Sequence, residues 1–431
     1  MRLKTVLLTA VLPLSALAGD SPQAADRARQ LIGQLQAGQF DQAHRYFSPQ
    51  MAQAISPTAL SQVWLQLGQA LGPLQSTDPA QTQLRDGVQV VTQLLTLERG
   101  KVRATTAIDA QGRVAGFHLA PVAEAAPAPA ADAPFVEHAL QIDNGPGPLS
   151  ATLSLPKGNG PFPAVVLVHG SGPQDRDQTI GPNKPFADIA HGLAAQGVAV
   201  LRYDKRSQAR PQDLADGASL ALETTDDAIA AVGLLKGQTG IDPESVFVLG
   251  HSQGGMVASR VAKASGAAGA ILFAAPARPI LDLLREQNRY LLAQSPQIPT
   301  EVATAHMAQL DAAIAAVRKD PAAQLPALPG LTGLTGAYWQ EVEAVDVVGE
   351  TAASGLPTLL LHGGRDFQVV EADWQQLNAG LQGDRYRFHH YPALNHLGIA
   401  GQGPSTLAEY QQPGKVAPQL INDVAIWIKQ Q

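Results

Sequence analysis

The stretch VLGHSQGG, Val248 to Gly255, places Ser252 between an apolar run and two glycines. The residues before it, 245–249, predict a buried strand, and the apolar stretch 256–264 after it predicts a helix. A Gly-x-Ser-x-Gly pattern at such a strand-to-helix turn is typical of a nucleophile elbow. In that turn the glycines leave room for a tight backbone and the helix directs its first amides at a developing anion. The alternative is a glycine-rich turn with no catalytic role.

A serine nucleophile needs a base, and the base needs an acid to orient it. Asp366 ends the segment LPTLLLHGGRD, just past an apolar strand, and His396 ends RYRFHHYPALNH, past the last predicted strand. The order along the chain is therefore Ser252, Asp366, His396, as in hydrolases with a nucleophile elbow. We predict these three residues to be the nucleophile, the acid and the base.

Other residues compete for two of these roles. His390 is the reserve candidate for the base, and Asp204, Asp346 and Glu371 are rivals for the acid. Asp204 stands among the basic residues of "RYDKR", so we expect it to form a structural ion pair. His251, inside the elbow, is expected to be a packing residue.

Stabilising an oxyanion requires two backbone donors. The amide of Gln253, directly after the nucleophile, supplies one. The loop after AVVLVHG supplies the other, from Ser171 or alternatively from Gly172. These roles belong to N–H groups, so changing either side chain to alanine could leave activity almost intact.

The first residues read as an export signal. A basic start, Arg2 and Lys4, precedes the apolar stretch 5–17 and an A-x-A-like arrangement at Ala16 and Ala18. We expect residues 1–18 to be a cleaved signal peptide and the protein to be periplasmic or secreted; an uncleaved anchor is the alternative. No later segment approaches the ~20 apolar residues of a membrane span.

Patterns along the chain divide it into two folded regions. Residues 20–120 combine helical segments with short strands at 88–97, 101–108 and 114–119 and with turn signals, which predicts a small α+β domain. The Ala/Pro-rich segment 121–134 predicts a linker. Residues 135–431 alternate continuous apolar strands with helices, which predicts an α/β domain with eight strands and a mostly parallel sheet. The long interval at about 276–350 predicts an inserted helical cap.

Composition excludes several kinds of chemistry. The 431 residues include no cysteine, so there is no disulfide, thiolate metal site or cysteine nucleophile. The net charge of −7 without a long run of one sign argues against a nucleic-acid partner. His169, His362 and His396 stand near strand ends without a His-x-x-x-His pair, so no metal and no cofactor are expected. The expected partner is a small molecule.

Four segments resemble one known superfamily. They are 166–206 (VLVHGSGPQDRDQTIGPNKPFADIAHGLAAQGVAVLRYDKR), 248–255 (VLGHSQGG), 359–369 (LLLHGGRDFQV) and 394–397 (LNHL). They are similar to the α/β-hydrolases, and specifically to exported bacterial carboxylesterase-like members related to feruloyl and acyl esterases and to serine-aminopeptidase-like hydrolases. The resemblance runs from Pro134 to the end of the chain, and residues 20–120 resemble a domain of unknown function that precedes such hydrolases.

The resemblance implies the α/β-hydrolase fold and ester hydrolysis through an acyl-enzyme. It implies Ser252, Asp366 and His396 as the triad, and the amides of Ser171 and Gln253 as the oxyanion donors. The expected substrate is a small-molecule acyl ester. A peptidase or amidase using the same triad, and a non-catalytic binding protein acting through residues 20–120, are the alternatives, and a homodimer stays open. Several cap residues could either wall an acyl pocket or form the cap core: Leu281, Leu284, Tyr290, Leu291, Tyr338 and Trp339.

Overall fold

A computed structural model describes residues 22–85, 88–122, 126–214, 217–295, 298–323 and 334–431. The expected signal peptide at 1–18 lies outside these residues. The chain divides into two compact units, 1–125 and 126–431, which are described separately below. No helix of the described ranges is both long and apolar enough to cross a membrane.

The first unit packs helices on an antiparallel sheet. Its helices are α1 (Pro22–Gln36), α2 (Phe40–His44), α3 (Pro49–Ala54) and α4 (Pro57–Leu71), and its strands are β1 (Leu74–Thr77), β2 (Gln81–Arg85), β3 (Val88–Leu97), β4 (Gly100–Ile108) and β5 (Val114–Val122). The strand order is β1-β3-β4-β5, and β2 pairs with the same edge of β3 as β1 does. The predicted strands at 88–97, 101–108 and 114–119 are confirmed, whereas β1 and β2 were not predicted.

Two Ser-Pro pairs begin helices of this unit. The hydroxyl of Ser48 accepts a hydrogen bond from the Met51 amide at 3.2 Å, and that of Ser56 accepts one from Ala59 at 3.1 Å. Each serine satisfies an amide that the first helical turn leaves free, and the following proline loses nothing there because its position needs no N–H donor. Apolar faces of α1 and α4 then cover β3 and β4, so this unit has a core of its own.

The second unit contains one sheet of eight strands. They are β6 (Phe135–Ile142), β7 (Leu149–Pro156), β8 (Phe162–Val168), β9 (Ala199–Tyr203), β10 (Ile241–His251), β11 (Gly269–Phe273), β12 (Thr358–Gly363) and β13 (Tyr386–Tyr391). Their order is β13-β12-β11-β10-β8-β9-β7-β6, and only β7 runs against its neighbours. This is the predicted mostly parallel sheet of eight strands.

Helices cover both faces of this sheet. They are α5 (Pro185–Ala194), α6 (Arg206–Ala209), α7 (Asp226–Lys236), α8 (Gln253–Ser265), α9 (Ile280–Ala293), α10 (Thr300–Lys319), α11 (Gly336–Glu343), α12 (Val347–Ser354), α13 (Glu371–Gly380) and α14 (Pro418–Gln430). Alternate residues of β8 show the layering: Val165 and Leu167 pack with α5 and α14, and Val166 and Val168 pack with α7 and α8. Burial on both faces explains the continuous apolar strands.

Helices α9, α10 and α11 lie between β11 and β12, in the interval where the sequence predicts a cap. Arg278, just before α9, joins this segment to the rest of the unit. Its guanidinium contacts Asp373 of α13 at 2.9 Å and Glu286 of α9 at 2.8 Å. The Asp373 side chain is fully buried and also accepts the amides of Ala277 and Arg278, each at 3.0 Å. The segment that leads into α9 is thereby fastened to α13.

Candidate active site

Ser252 lies in a strained turn between β10 and α8. Its φ of 56° and ψ of −121° lie in a region that residues with a side chain rarely adopt. Gly250 and Gly254 permit this turn, because a Cβ at Gly250 would overlap the carbonyl oxygen of Gly254, and one at Gly254 would overlap that of Val168. The strand-to-helix context and both glycines thus form the elbow geometry that the sequence indicates.

Asp366 and His396 are in direct contact. Asp366 follows β12, and its Oδ2 lies 2.6 Å from Nδ1 of His396 in the loop after β13. The other oxygen, Oδ1, accepts the amides of Gln368 at 2.7 Å and Val369 at 3.0 Å. The carboxylate therefore cannot turn away from the imidazole. A proton on Nδ1 leaves Nε2 of His396 as the acceptor nitrogen.

Two side chains hold the loop that carries His396. Asn395 Oδ1 accepts the amides of Leu397 and Ile399 at 3.0 and 3.1 Å. His251 Nε2 lies 2.8 Å from the carbonyl oxygen of His396, and the two rings are 4.6 Å apart. Since His251 directly precedes Ser252, this bond connects the elbow to the loop of the expected base.

His251 is fixed in one tautomer. A carbonyl only accepts, so Nε2 of His251 carries the proton and Nδ1 accepts from the Gln178 amide nitrogen at 2.7 Å. Burial, with the nearby His396, lowers the pKa of His251 well below its usual value. The ring therefore stays neutral. His251 is buried as the sequence analysis expects, but it also makes two hydrogen bonds that pattern alone did not reveal.

The two amides expected to bind the oxyanion donate no hydrogen bond within the described part of the chain. Gln253 is the first residue of α8, where an amide has no acceptor inside the helix, and neither its N–H nor that of Ser171 donates to another described group. The loop after β8 passes close to Ser252, since a Cβ at Gly170 would lie 3.2 Å from the Cβ of that residue. Free N–H groups near Ser252 can bind an anionic oxygen.

A buried polar network lies behind these two amides. Lys205 Nζ donates to the carbonyl of Gly170 at 2.8 Å and contacts Glu223 at 2.7 Å. The Tyr338 hydroxyl of the cap donates to Glu223 at 3.4 Å and accepts from the Gln253 side chain at 2.7 Å. Burial and Glu223 raise the pKa of Tyr338 well above its usual value, so the phenol stays protonated. The network connects both oxyanion segments to the cap.

None of the rival residues takes the place of Asp366 beside His396. Asp204 binds Arg176, with Oδ2 at 2.7 Å from Nη2, so it is the structural ion pair expected, although its partner comes from a different segment. Asp346 accepts the amide of Gly349 at the start of α12. Glu371 binds the reserve base candidate His390 at 3.0 Å.

From the sequence, six cap residues could either wall an acyl pocket or form the core of the cap, and the structure divides them into two groups. Leu281, Tyr338 and Trp339 are buried in the main core of the unit, with Leu284 packed against it. Tyr290 and Leu291 instead pack on a small apolar cluster with Phe367, Leu397 and Tyr410. The Tyr290 and Phe367 rings are stacked at 4.9 Å. Because Phe367 follows Asp366 and Leu397 follows His396, this cluster borders the acid and the base.

The structure also collects a group that the sequence analysis did not identify. One ligand atom each from His362, Glu371 and His390 lies within 4.8 Å of the others. Burial lowers the pKa of His362, which favours its neutral form. The register of β12 and β13 places His362 opposite His390, and the start of α13 adds Glu371.

Comparison with known proteins identifies a hydrolase family. Residues 161–399 match the hydrolase family described as "Serine aminopeptidase, S33". The chain belongs to this family. The matched region contains Ser171, Ser252, Asp366 and His396 of this S33-family chain. Residues 28–117 match a second family, described only as a protein of unknown function, DUF3887.

The S33-family chain is also similar to a curated esterase. It is 32% identical over 401 residues to esterase EstD of Thermotoga maritima. The alignment covers 92% of this chain and 93% of EstD. Only about 8% of this chain falls outside that alignment, so it includes most of both units. The chain is a hydrolase of the carboxylesterase type.

Solved structures with a similar arrangement include two esterases. Est1E of Butyrivibrio proteoclasticus is 18% identical, with 68% of this chain and 99% of that chain covered and a TM-score of 0.45. An esterase of Pyrococcus furiosus is 16% identical, with 72% of this chain and 95% of that chain covered and a TM-score of 0.45. The α/β-hydrolase fold expected from the sequence is confirmed by the family match and by the observed sheet.

Proposed function

We propose that this protein hydrolyses small carboxylic esters through an acyl-enzyme on Ser252, with Asp366 and His396 completing the triad. The contact of 2.6 Å between Asp366 and His396, beside the strained elbow of Ser252, is the observation that carries the proposal. The relationship to EstD supports an ester as the substrate.

In the first half of the reaction, Nε2 of His396 takes the Ser252 proton while Oγ attacks the acyl carbonyl. The amides of Gln253 and of Ser171 or Gly172 bind the resulting oxyanion. His396 then returns its proton to the leaving alkoxide, and the alcohol departs. In the second half, His396 activates a water that attacks the acyl-enzyme, so the acid is released and Ser252 regains its proton.

Hydrolysis of p-nitrophenyl acetate, butyrate and octanoate by the wild type and by Ser252→Ala tests the proposal. We expect hydrolysis by the wild type and its loss in the variant, with the trend in chain length reporting the size of the acyl site. Equal rates for both proteins would show that Ser252 is only part of a turn. Labelling by a fluorophosphonate, expected for the wild type alone, identifies the nucleophile independently of the substrate chosen.

A second candidate is an amidase or aminopeptidase using the same triad, because the matched family carries the description of a serine aminopeptidase. An aminopeptidase, unlike a general amidase, needs a carboxylate to hold the ammonium group of its substrate. Glu223 is buried near the site, but it is already paired with Lys205 at 2.7 Å. Paired substrates with the same acyl group decide between the two: we expect kcat/KM to be higher for the ester than for the anilide, and the reverse order would make the enzyme an amidase.

We propose further that the protein is exported with cleavage after residue 18, because of the basic and apolar start of its sequence. Fractionation of the native host, with mass measurement of the mature protein, tests this. Recovery from the cytoplasm with residues 1–18 attached would contradict it.

For the DUF3887-like unit we propose a role in dimerisation or substrate presentation, with residues 121–134 as its connection. Deletion of residues 20–133 is expected to change the oligomeric mass or the kinetics on large substrates. If neither changes, both roles are excluded. If the intact protein escapes the fluorophosphonate but binds a ligand through residues 20–120, it is a binding protein instead.

A further inference from the structure

His362 and His390 occupy directly opposed positions on β12 and β13. They are register partners on neighbouring parallel strands, so their side chains project from the same face of the sheet. The two imidazole rings stack with centroids 5.6 Å apart. Glu371 begins α13 and places its Oε2 3.0 Å from Nε2 of His390. Three segments thus converge on one point.

The inner histidine of this group has unused nitrogen atoms. His362 is only 3% exposed, and within the described part of the chain its ring stacks on Trp374 at 5.6 Å but makes no hydrogen bond. One of its nitrogens lies within 4.8 Å of a ligand atom of Glu371 and of His390, so it is available to an ion held between the three residues.

We propose that His362, Glu371 and His390 bind a divalent cation of the zinc type. One ligand atom from each residue lies within 4.8 Å of the others, and a zinc ion with bonds of about 2.0–2.2 Å draws such atoms to roughly 3.5 Å apart. The pair formed by Glu371 and His390 is already that close. The His362 nitrogen has to approach this pair from a distance of at most 4.8 Å for the set to close on an ion.

The donor types determine the class of metal. Two imidazole nitrogens and one carboxylate suit zinc and its neighbours in the first transition series, whereas calcium and magnesium require oxygen ligands. Three protein ligands leave a fourth position for water. The site differs from the proposed triad because it contains neither Ser252 nor His396, so it does not depend on the esterase proposal.

A bound cation would fasten β12, β13 and the start of α13 together. The loop that presents Asp366 begins directly after His362, and it passes close to His390: a Cβ at Gly364 would lie 2.9 Å from Cε1 of that ring. We therefore assign the cation a stabilising role for the loop of the expected acid. Binding to the folded state raises its stability by mass action.

The test uses the full mature protein without a purification tag, first stripped with a chelator. Zn²⁺ is titrated by calorimetry into the wild type, His390→Asn and Glu371→Gln, and Tm is measured with and without the metal. His389→Asn is the matched control, since it removes the adjacent histidine, which contacts Asp423 at 3.2 Å. His390 and Glu371 are partly exposed, so their replacement spares the core.

We expect the wild type and His389→Asn to bind one Zn²⁺ per chain and to gain several degrees in Tm. His390→Asn and Glu371→Gln should bind at least tenfold more weakly and gain less. Co²⁺ should give the intense visible absorption of a four-coordinate ion in the wild type but not in His390→Asn. Equal affinity in all four proteins, or no binding by the wild type, would overturn the proposal, and equal weakening by His389→Asn would show adventitious binding to surface histidines.

Discussion

His251 donates a hydrogen bond from Nε2 to the carbonyl oxygen of His396, at 2.8 Å. The bond joins the residue before the nucleophile to the backbone of the expected base. Its geometry depends on the neutral ring and on the Gln178 amide at Nδ1. His251 is therefore a positioning residue for His396.

Variants of His251 distinguish a role of its hydrogen bond in orienting His396 from a role of its ring in packing. We expect His251→Phe to lower kcat about tenfold with little change in KM, because one hydrogen bond worth about 1–2 kcal/mol no longer orients His396. His251→Gln retains a donor and should recover part of the loss. Steady-state kinetics on p-nitrophenyl butyrate measure both, with Tm as the check on folding. A fall in Tm with unchanged kcat in His251→Phe would reduce the residue to a structural role.

Asp366→Asn is expected to lower kcat by a factor on the order of 10⁴, because an amide no longer selects the His396 tautomer whose Nε2 accepts the serine proton. Asp346→Asn is the matched control, since asparagine can still accept the Gly349 amide at the start of α12. We expect its kinetics to equal those of the wild type. Similar losses in both variants would remove Asp366 from the triad.

Gly254→Ala should cost activity and stability together. The added methyl group would overlap the main-chain carbonyls of Val168 and His169, which the sheet holds in place. We expect a destabilisation of about 1–3 kcal/mol and a deformed elbow. Gly233→Ala, in α7, is the control, because nothing lies within 4 Å of its new Cβ. That change should be neutral or stabilise by about 0.5–1 kcal/mol. Denaturant unfolding compares the two, and an active, stable Gly254→Ala would contradict the account of the elbow.

The buried pair of Lys205 and Glu223 provides a test of the network behind the oxyanion loop. Lys205→Met removes one charge and leaves the other unpaired, which typically costs about 3–5 kcal/mol. The double variant Lys205→Met/Glu223→Gln removes both charges and should be more stable than the single one. Unfolding free energies of the four proteins in this cycle give the coupling. If the effects of the two single changes simply add, the pair is not coupled.

Stability should decline in acid partly because of buried histidines. Burial and the Lys205 charge lower the pKa of His169 from 6.5 to about 3, and burial also lowers that of His251. Below pH 6.5 the unfolded chain binds these protons and the folded chain does not, so the free energy of unfolding falls as the pH decreases from 6.5 towards 3. Each such histidine lowers the free energy of unfolding by up to about 1.4 kcal/mol for every pH unit of acidification in this range.

The variant His169→Phe keeps an aromatic ring and removes one of these sites. We expect its unfolding free energy to depend less steeply on pH between 6.5 and 4 than that of the wild type. His138→Asn, at an exposed position, is the control and should keep the wild-type slope. Equal slopes in all three proteins would show that His169 does not contribute to acid sensitivity.

Sequence patterns predict the parts of this protein that local physics determines. Continuous apolar runs mark five of the eight strands of the second unit, β8 to β12, and glycine spacing marks the elbow at Ser252. The order of the strands then brings Asp366 and His396 to neighbouring strand ends. By contrast, β1 and β2 contain mainly polar residues (LQST and QTQLR) and lack the apolar run that signals a strand.

Side-chain contacts between segments that are far apart in the sequence cannot be predicted from such patterns. Asp204 has basic neighbours in sequence, yet its partner is Arg176, because Lys205 turns inward to Glu223. The hydrogen bond between Tyr338 and Gln253 depends on how the cap is seated. Each of these follows from side-chain direction in the folded chain, on which spacing along the sequence carries no information.

The double contact of Arg278 restrains the N-terminal junction of the inserted helices. If these helices swing outward on a bend after Arg278, the ion pair with Glu286 must break; if the bend lies before Ala277, the ion pair with Asp373 and its two amide hydrogen bonds must break. Either movement therefore costs at least one ion pair at this junction. For the proposed esterase, we expect any opening of the cap during turnover to take place away from it.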